Sequence, residues 1–269
     1  MPASPATIAD YCSHLAANAG RKPATIARSL AAISQAHRLV GYPSPTSASE
    51  VRAVMAGIRR STGTAQLAKT ALTPQLLRQL LLDPGPGIWG IRNRALLLTG
   101  FAAALRRSEL AALTVGDLEW TPEGVILRVR RSKSDPDGEG QHIGVPRAGN
   151  PELCPVAALQ CWIEAASLTT GPLFRAIHRY SGVAPRALED HRIAAIIKEL
   201  AARCGLDPAS FSGHSLRSGL ATSAARAGAS ERSIMNQTRH KSLTQVRRYI
   251  QRGSLFIENA AARTLSEAG

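Results

Sequence analysis

The chain has no apolar run near the roughly 20 residues that a membrane-spanning helix needs, and its first residues carry no secretory signal pattern. Cysteine is scarce. Cys12, Cys154, Cys161 and Cys204 are scattered, with no C-x-x-C pair among them. That spacing argues against a zinc site and a disulfide framework, and fits a reducing cytosol with the thiols expected in the core. No G-x-x-x-x-G-K-[ST] phosphate loop is present, so nothing points to ATP. Acidic residues are also in short supply: 19 Asp and Glu stand against 33 Lys and Arg, a net charge of +14 and a pI near 10.7. The basic excess is spread along the chain rather than gathered in a tail. It favours a polyanionic partner, nucleic acid before an anionic membrane, over a merely solvated surface.

With 269 residues, 44% of them hydrophobic, the chain is long enough to fold as one large domain or two unequal ones. Residues 1–60 read as three amphipathic helices. Ser4 caps the first with Pro5 at its first position, and Ile8, Tyr11, Cys12 and Leu15 form its stripe. The second is predicted from about Pro23 to Val40, with Ile26, Leu30, Ile33 and His37 on one side and Gly41 closing it. His37 is read there as a packing residue. The third is expected to open with a Ser47-x-x-Glu50 capping box and to carry Val51, Val54 and Ile58. It ends in Arg59 and Arg60, which suit the helix dipole and are candidate phosphate contacts. Residues 61–70 are small, polar and aperiodic, so the expected division is a helical unit over 1–62, a linker over 63–71 and a second unit over 72–269.

The second unit opens at Thr73-Pro74, a cap followed by proline, with Leu76, Leu77 and Leu80 behind it. A loop over Asp83–Gly87 leads to an apolar helix around Ile91–Thr99. Arg106 and Glu109 follow, three apart and above Leu105, Leu110 and Leu113; alone they would be a weak surface ion pair. Val125–Arg130 alternates as a strand, Asp135–Gly138 is a turn and Gln141–Val145 a return strand, with Lys133 near the tip. Cys154–Ala166 and Ala187–Arg203 are further helices, and Leu255, Phe256 and Ile257 make a short apolar cluster in the tail.

The stretch Ser212–Tyr249 holds the chemistry. His214 and Arg217 are three apart on one helical face, His240 follows, and Tyr249 lies in a helix opened by a Ser242-x-x-Gln245 capping box. Arginine and histidine donate to anionic oxygens and a tyrosine hydroxyl can act as a nucleophile, so the set suggests chemistry on a phosphate. Tyr11, Tyr42 and Tyr180 do not follow a histidine at this spacing.

This order resembles the tyrosine recombinase, or phage integrase, family, whose core carries H-x-x-R, a later His or Trp, and a tyrosine nine residues beyond it. Here these are His214, Arg217, His240 and Tyr249. The A-L-R-R-S-E-L stretch is similar to the family's G-L-R-x-S-E-L motif, with Arg106 as its arginine and Glu109 as the acidic support. The resemblance spans nearly the whole chain and is nearest in style to Cre-like members. It implies a mainly α fold with a small antiparallel β-sheet (α+β): a helical core-binding domain, shortened by one or two opening helices, and an integrase-type catalytic domain.

It further implies a site-specific recombinase that cleaves and rejoins DNA through a 3′-phosphotyrosyl bond. Tyr249 is the nucleophile, Arg106 and Arg217 clamp the phosphate, and His240 donates to a non-bridging oxygen. Lys133 protonates the leaving 5′ oxygen and His214 assists proton transfer. No metal and no cofactor are implied. The partners are double-stranded DNA and further copies of the chain, a dimer per site and a tetramer in synapsis; no membrane or small-molecule substrate is expected, and the location is the cytoplasm. One departure is Arg239, which stands where the family has glycine before His240 and is expected to alter that turn. Two other functions fit the same residues: relaxation of DNA in the manner of a type IB topoisomerase, and a non-catalytic DNA-binding remnant.

Overall fold

The computed structural model describes residues 2–63, 68–130, 140–180, 182–240, 242–254 and 261, without the side chains of Gln245, Arg252 and Ser254. The chain divides into two compact units, Met1–Ala68 and Lys69–Gly269.

In the first unit lie α1 (Pro5–Ala17), α2 (Pro23–Leu39) and α3 (Ser49–Thr62). The Ser4 hydroxyl accepts the Thr7 N–H, so α1 starts as its sequence requires. Ile8, Cys12, Ile26, Val51, Met55 and Ile58 form the core. His37 packs as expected: its Nε2 accepts the Ala3 N–H at 3.1 Å, and its Nδ1 meets the Ile33 carbonyl at 2.8 Å. Two expectations fail. Tyr11 is 39% exposed, because Ile8 and Cys12, one turn apart, already fill the seam. Ser47 does not cap α3; Ser44 caps a 3-10 turn over Pro45–Ser47 first, and the Ser47 hydroxyl donates back to the Ser44 carbonyl. Arg59 and Arg60 are exposed in the last turn of α3.

The second unit begins with α4 (Pro74–Leu80), capped by Thr73, then α5 (Gly87–Ala102) and α6 (Arg107–Ala112). A three-stranded antiparallel sheet follows in the order β1 (Leu118–Trp120), β2 (Gly124–Val129), β3 (Gln141–Pro146). Val125 lies opposite Val145 and Leu127 opposite Ile143, and all four are buried, as the alternation demands. Then come α7 (Pro155–Ala165), the hairpin β4 (Arg175–His178) and β5 (Gly182–Ala187), and α8 (Asp190–Arg203). Next are α9 (Ser215–Arg226), α10 (Glu231–Thr238) and α11 (Leu243–Ser254). The architecture is α+β with helices predominating.

The sequence reading misses or misplaces four features. β1 is too short to show alternation, and the β4–β5 hairpin was not foreseen. Ala187 pairs with Arg175 in that hairpin, so α8 starts at Asp190 rather than at Ala187. Cys161 is exposed, because α7 turns Val156, Leu159 and Trp162 inward instead. The Asp135–Gly138 turn, Lys133, and the tail residues Leu255, Phe256 and Ile257 lie outside the described residues, as does the side chain of Gln245 in the proposed Ser242 capping box.

The main core runs through α5, where Ala95, Leu96, Leu97 and Leu98 are all buried. A smaller cluster of Ala221, Ile234 and Val246 joins α9, α10 and α11, with Tyr249 packed at its side. The entering segment binds under α9: the Leu72 N–H donates to the Ser215 carbonyl at 2.9 Å. Gly219 makes this crossing possible, since a Cβ there would meet the Leu72 carbonyl oxygen at 2.1 Å. Alanine for glycine inside a helix ordinarily adds about 1 kcal/mol of stability. At Gly219 the sign should reverse, with a loss of about 1–3 kcal/mol from overpacking. Urea unfolding of Gly219→Ala would read this directly, and a raised midpoint would show that the contact yields.

Candidate active site

Arg106 is the residue just before α6, in extended conformation. Its placement comes from Glu109, whose Oε2 accepts the Arg106 N–H at 2.9 Å while Oε1 takes its guanidinium at 2.5 Å. This pair is not the surface ion pair that spacing alone suggests, for Glu109 is 4% exposed. A second cation shares the carboxylate: Arg239 Nη2 donates to Oε2 at 2.6 Å. An isolated carboxylate buried this far would be costly, and two guanidiniums offset that cost.

Arg217 projects from the first turn of α9 and is 1% exposed. Its Nη1 donates to the Ala104 carbonyl at 2.7 Å, and its Nη2 finds no acceptor among the described residues. Burial first, then the charges of Arg106 and Arg239, lower its pKa to about 10, which leaves it fully charged at neutral pH. The carbonyl that it uses is presented by strain. Ala104 has φ 47°, a left-handed turn after α5, at a position where glycine is at home.

His214 precedes α9, and its Nε2 lies 2.7 Å from the Tyr249 hydroxyl. The ring keeps a solvent-facing edge, yet the surrounding protein and the charges of Arg217 and Arg106 hold its pKa below the usual imidazole value. A neutral ring at that distance is placed to receive the tyrosine proton. Tyr249 stands on α11, steadied by the Ala221–Ile234–Val246 cluster, with the His240 ring centroid 5.7 Å from its own. Just before His214, Gly213 lies against the side chain of Arg107, which pairs with Asp190 at 3.0 Å.

His240 is oriented by a residue that sequence reading passed over. The Thr238 hydroxyl gives its proton to the Ile234 carbonyl at 2.6 Å, so it can only accept from His240 Nδ1, 2.7 Å away. The neutral ring therefore carries its proton on Nδ1 and leaves Nε2 bare. Donation from Nε2 to a phosphate oxygen requires the imidazolium. Burial, then Arg217, Arg106, His214 and Arg239, push its pKa down to about 4, so in the free protein the ring is neutral.

The other residue missed is Arg239. It was expected to disturb a turn; instead it adopts the turn, with φ 55° and ψ 40°, at a cost of about 1–2 kcal/mol for a side-chain-bearing residue. Its guanidinium is buried, bonded to Glu109 and to the carbonyls of Ala103 and Ala104, while its Nε has no partner among the described residues. A charged residue at a glycine position was the signal available for it.

The structure thus gathers Arg106, Glu109, His214, Arg217, His240 and Tyr249. Lys133 lies outside the described residues, and Arg59 and Arg60 belong to the first unit. Arg59 lines a cavity of about 340 Å³ there with Arg21 and Lys22. Among the described residues no group of three or more His, Cys, Asp or Glu is gathered as metal ligands, and no helix is long and apolar enough to cross a membrane.

Comparison with known proteins gives one answer. The profile of the phage integrase family matches residues 70–254. An integrase/recombinase XerD homolog of Selenomonas ruminantium is 42% identical over 267 residues, covering 98% of this chain and 78% of its own length. The Cre recombinase of Escherichia phage P1 is 29% identical over 291 residues, covering 100% of this chain and 81% of its own. The fold is similar to that of the XerH site-specific recombinase bound to a palindromic difH substrate (TM-score 0.64, 15% identity, 97% of this chain and 72% of that one). It is also similar to a lambda integrase dimer bound to a COC′ core site (TM-score 0.63, 18% identity, 94% and 82%).

The depressed histidines carry a stability consequence. Below the ordinary imidazole pKa of about 6.5 the unfolded chain takes up protons that folded His240 refuses until about pH 4. Their contribution is therefore present above about pH 6.5 and is lost as pH falls toward 4. Urea unfolding at pH 7 and pH 5 should show the midpoint falling on acidification, and falling less in His240→Gln. An equal fall in both proteins would mean that His240 is not the group responsible.

Proposed function

The chain belongs to the phage integrase family and is a site-specific DNA recombinase of the tyrosine type, and on that premise we propose how its residues divide the reaction. Tyr249 Oη attacks the scissile phosphorus; the Oη–P bond forms, the P–O5′ bond breaks, and a 3′-phosphotyrosyl ester and a 5′-hydroxyl result. The tyrosine proton passes to neutral His214, and Lys133 supplies the proton that the leaving 5′ oxygen takes. Arg106 and Arg217 hold the non-bridging oxygens, where charge builds as the new bond forms. Rejoining is the same path reversed, with the bond energy kept in the ester, so no nucleotide is spent. The observation that carries this reading is the 2.7 Å contact of His214 Nε2 with the Tyr249 hydroxyl, next to Arg217, whose Nη2 has no acceptor among the described residues.

His240 joins only when DNA is bound. A phosphodiester brings a negative charge among cations that otherwise keep the ring neutral, and that charge favours the imidazolium, which can donate through Nε2. Binding should thus take up a proton.

The partner is duplex DNA in the cytoplasm, met by the net charge of +14. Residues 1–62 act as the core-binding domain with Arg59 and Arg60 at the backbone, 63–71 as linker, and 72–269 as the catalytic domain. Two copies sit on one site and four hold a synapse. An apolar cavity of about 430 Å³, lined in part by Leu77, Leu98, Phe101, Leu220 and Ile234, supports this assembly. It suits the Leu255–Phe256–Ile257 cluster of a neighbouring copy.

Both parts of the reading can be tested on a nicked duplex that carries a site enriched from random DNA by the wild-type protein. Tyr249→Phe keeps the ring and should bind that duplex normally while forming no covalent adduct; adduct at wild-type yield would transfer the nucleophile elsewhere. Deleting residues 255–269 should leave half-site affinity unchanged and abolish cooperative filling of a full site. Cooperative assembly by the truncated chain would rule out docking of the tail on a neighbour.

A further inference from the structure

Arg239 forms a bridge that the reaction scheme leaves unused. Its backbone is left-handed at the end of α10, which turns the guanidinium inward instead of toward solvent. There it meets two groups that also serve the phosphate arginines. Glu109 Oε2 takes Arg239 Nη2 at 2.6 Å and the Arg106 N–H at 2.9 Å, while Oε1 takes the Arg106 guanidinium. The Ala104 carbonyl takes Arg217 Nη1 at 2.7 Å and Arg239 Nη2 at 3.4 Å, and the Ala103 carbonyl takes Arg239 Nη1 at 3.3 Å.

We propose that Arg239 is a positioning residue of the recombinase centre, whose guanidinium locks the Glu109 carboxylate and the Ala103–Ala104 carbonyls so that Arg106 and Arg217 are held in fixed relation to each other. This rests on the reading of the site given above. Arg106 engages both oxygens of the carboxylate, but both of those bonds come from one residue at the start of α6. Arg239 adds a bond to Oε2 from the end of α10, and its planar guanidinium reaches two carbonyls as well, so it ties the carboxylate to the segment that Arg217 also uses. The same link pins the backbone immediately before His240, so the start of the segment leading to Tyr249 is tied to the corner that carries Arg106. Both left-handed non-glycine residues of this region, Ala104 and Arg239, are thus joined by one hydrogen bond. Strain at two positions persists because each holds the other in place.

The test uses Arg239→Gly and Arg239→Lys in the full chain. Glycine accepts the left-handed turn without strain, so that variant removes the guanidinium and keeps the backbone. Three quantities are read: half-site binding to the enriched duplex, single-turnover cleavage of its nicked form, and the titration of the His240 ring by NMR in the free protein. His240 lies among Arg217, Arg106, His214, Arg239 and the ring of Tyr249.

In Arg239→Gly binding should be unchanged and cleavage about 10²-fold slower, as for a reacting group displaced by about 1 Å. The His240 titration should move up from about 4, because one of the cations opposing its protonation is gone. Lysine keeps that charge but loses the planar fork. It should leave the titration in place and restore only part of the rate. Wild-type cleavage by Arg239→Gly overturns the proposal, and so does a rate loss matched by an equal loss of binding, which marks a general brace of the fold. Should Arg239→Gly fail to fold, Arg239→Lys decides: slowed cleavage with normal binding supports the role and a wild-type rate overturns it. An adduct that persists in Tyr249→Phe would instead mean that the centre itself is misassigned, whatever Arg239 does.

Discussion

Three guanidinium groups converge on a corner of the second unit that is largely closed to water, and their mutual repulsion has to be contained before any substrate arrives. Glu109 contains it. Both of its oxygens are occupied, one by the Arg106 side chain and the other by the Arg106 backbone and Arg239. The surroundings depend on that one carboxylate: α6 starts where it does because Glu109 takes the Arg106 N–H, and the turn before His240 is held because Arg239 reaches back to the same group. Removal of a buried partner from such a cluster typically costs about 3–5 kcal/mol, more than most single core contacts. The site is thus also a structural keystone of α6 and α10.

That arrangement sets the protonation of the centre. Cations surround both histidines, so both rest neutral, which suits His214 and leaves His240 waiting for an anion. In the free protein a neutral imidazole therefore stands 2.7 Å from the Tyr249 hydroxyl, and the Nε2 of His240 carries no proton.

Much of this was legible in the chain, because the informative residues act through spacing. The nine residues from His240 to Tyr249 bring the two rings together and the alternation of Val125, Leu127 and Val129 is kept, while His214 stands just ahead of α9 rather than inside a helix with Arg217. What stayed hidden depends on tertiary neighbours. Arg106 and Glu109 have the spacing of a weak surface pair, and nothing local reveals that Glu109 is buried or that a residue 130 positions later shares it. Thr238 looks like an ordinary helix residue until its two partners are known. Ser47 and Glu50 made a good local signal that lost to a proline turn just upstream, and Tyr11 fell on a stripe already filled by its neighbours.

The route by which the chain enters the second unit has a mechanical meaning. The Lys69 side chain donates to the Ala209 carbonyl, the Thr70 N–H to that of Ser210, and the Leu72 N–H to that of Ser215, so the incoming segment is stitched along both flanks of the loop that carries His214. Tension applied to the connection at residue 68 is therefore not dissipated in a remote surface loop. It is borne by the few hydrogen bonds on either side of His214, so a pull on this short seam loads the loop that carries the histidine.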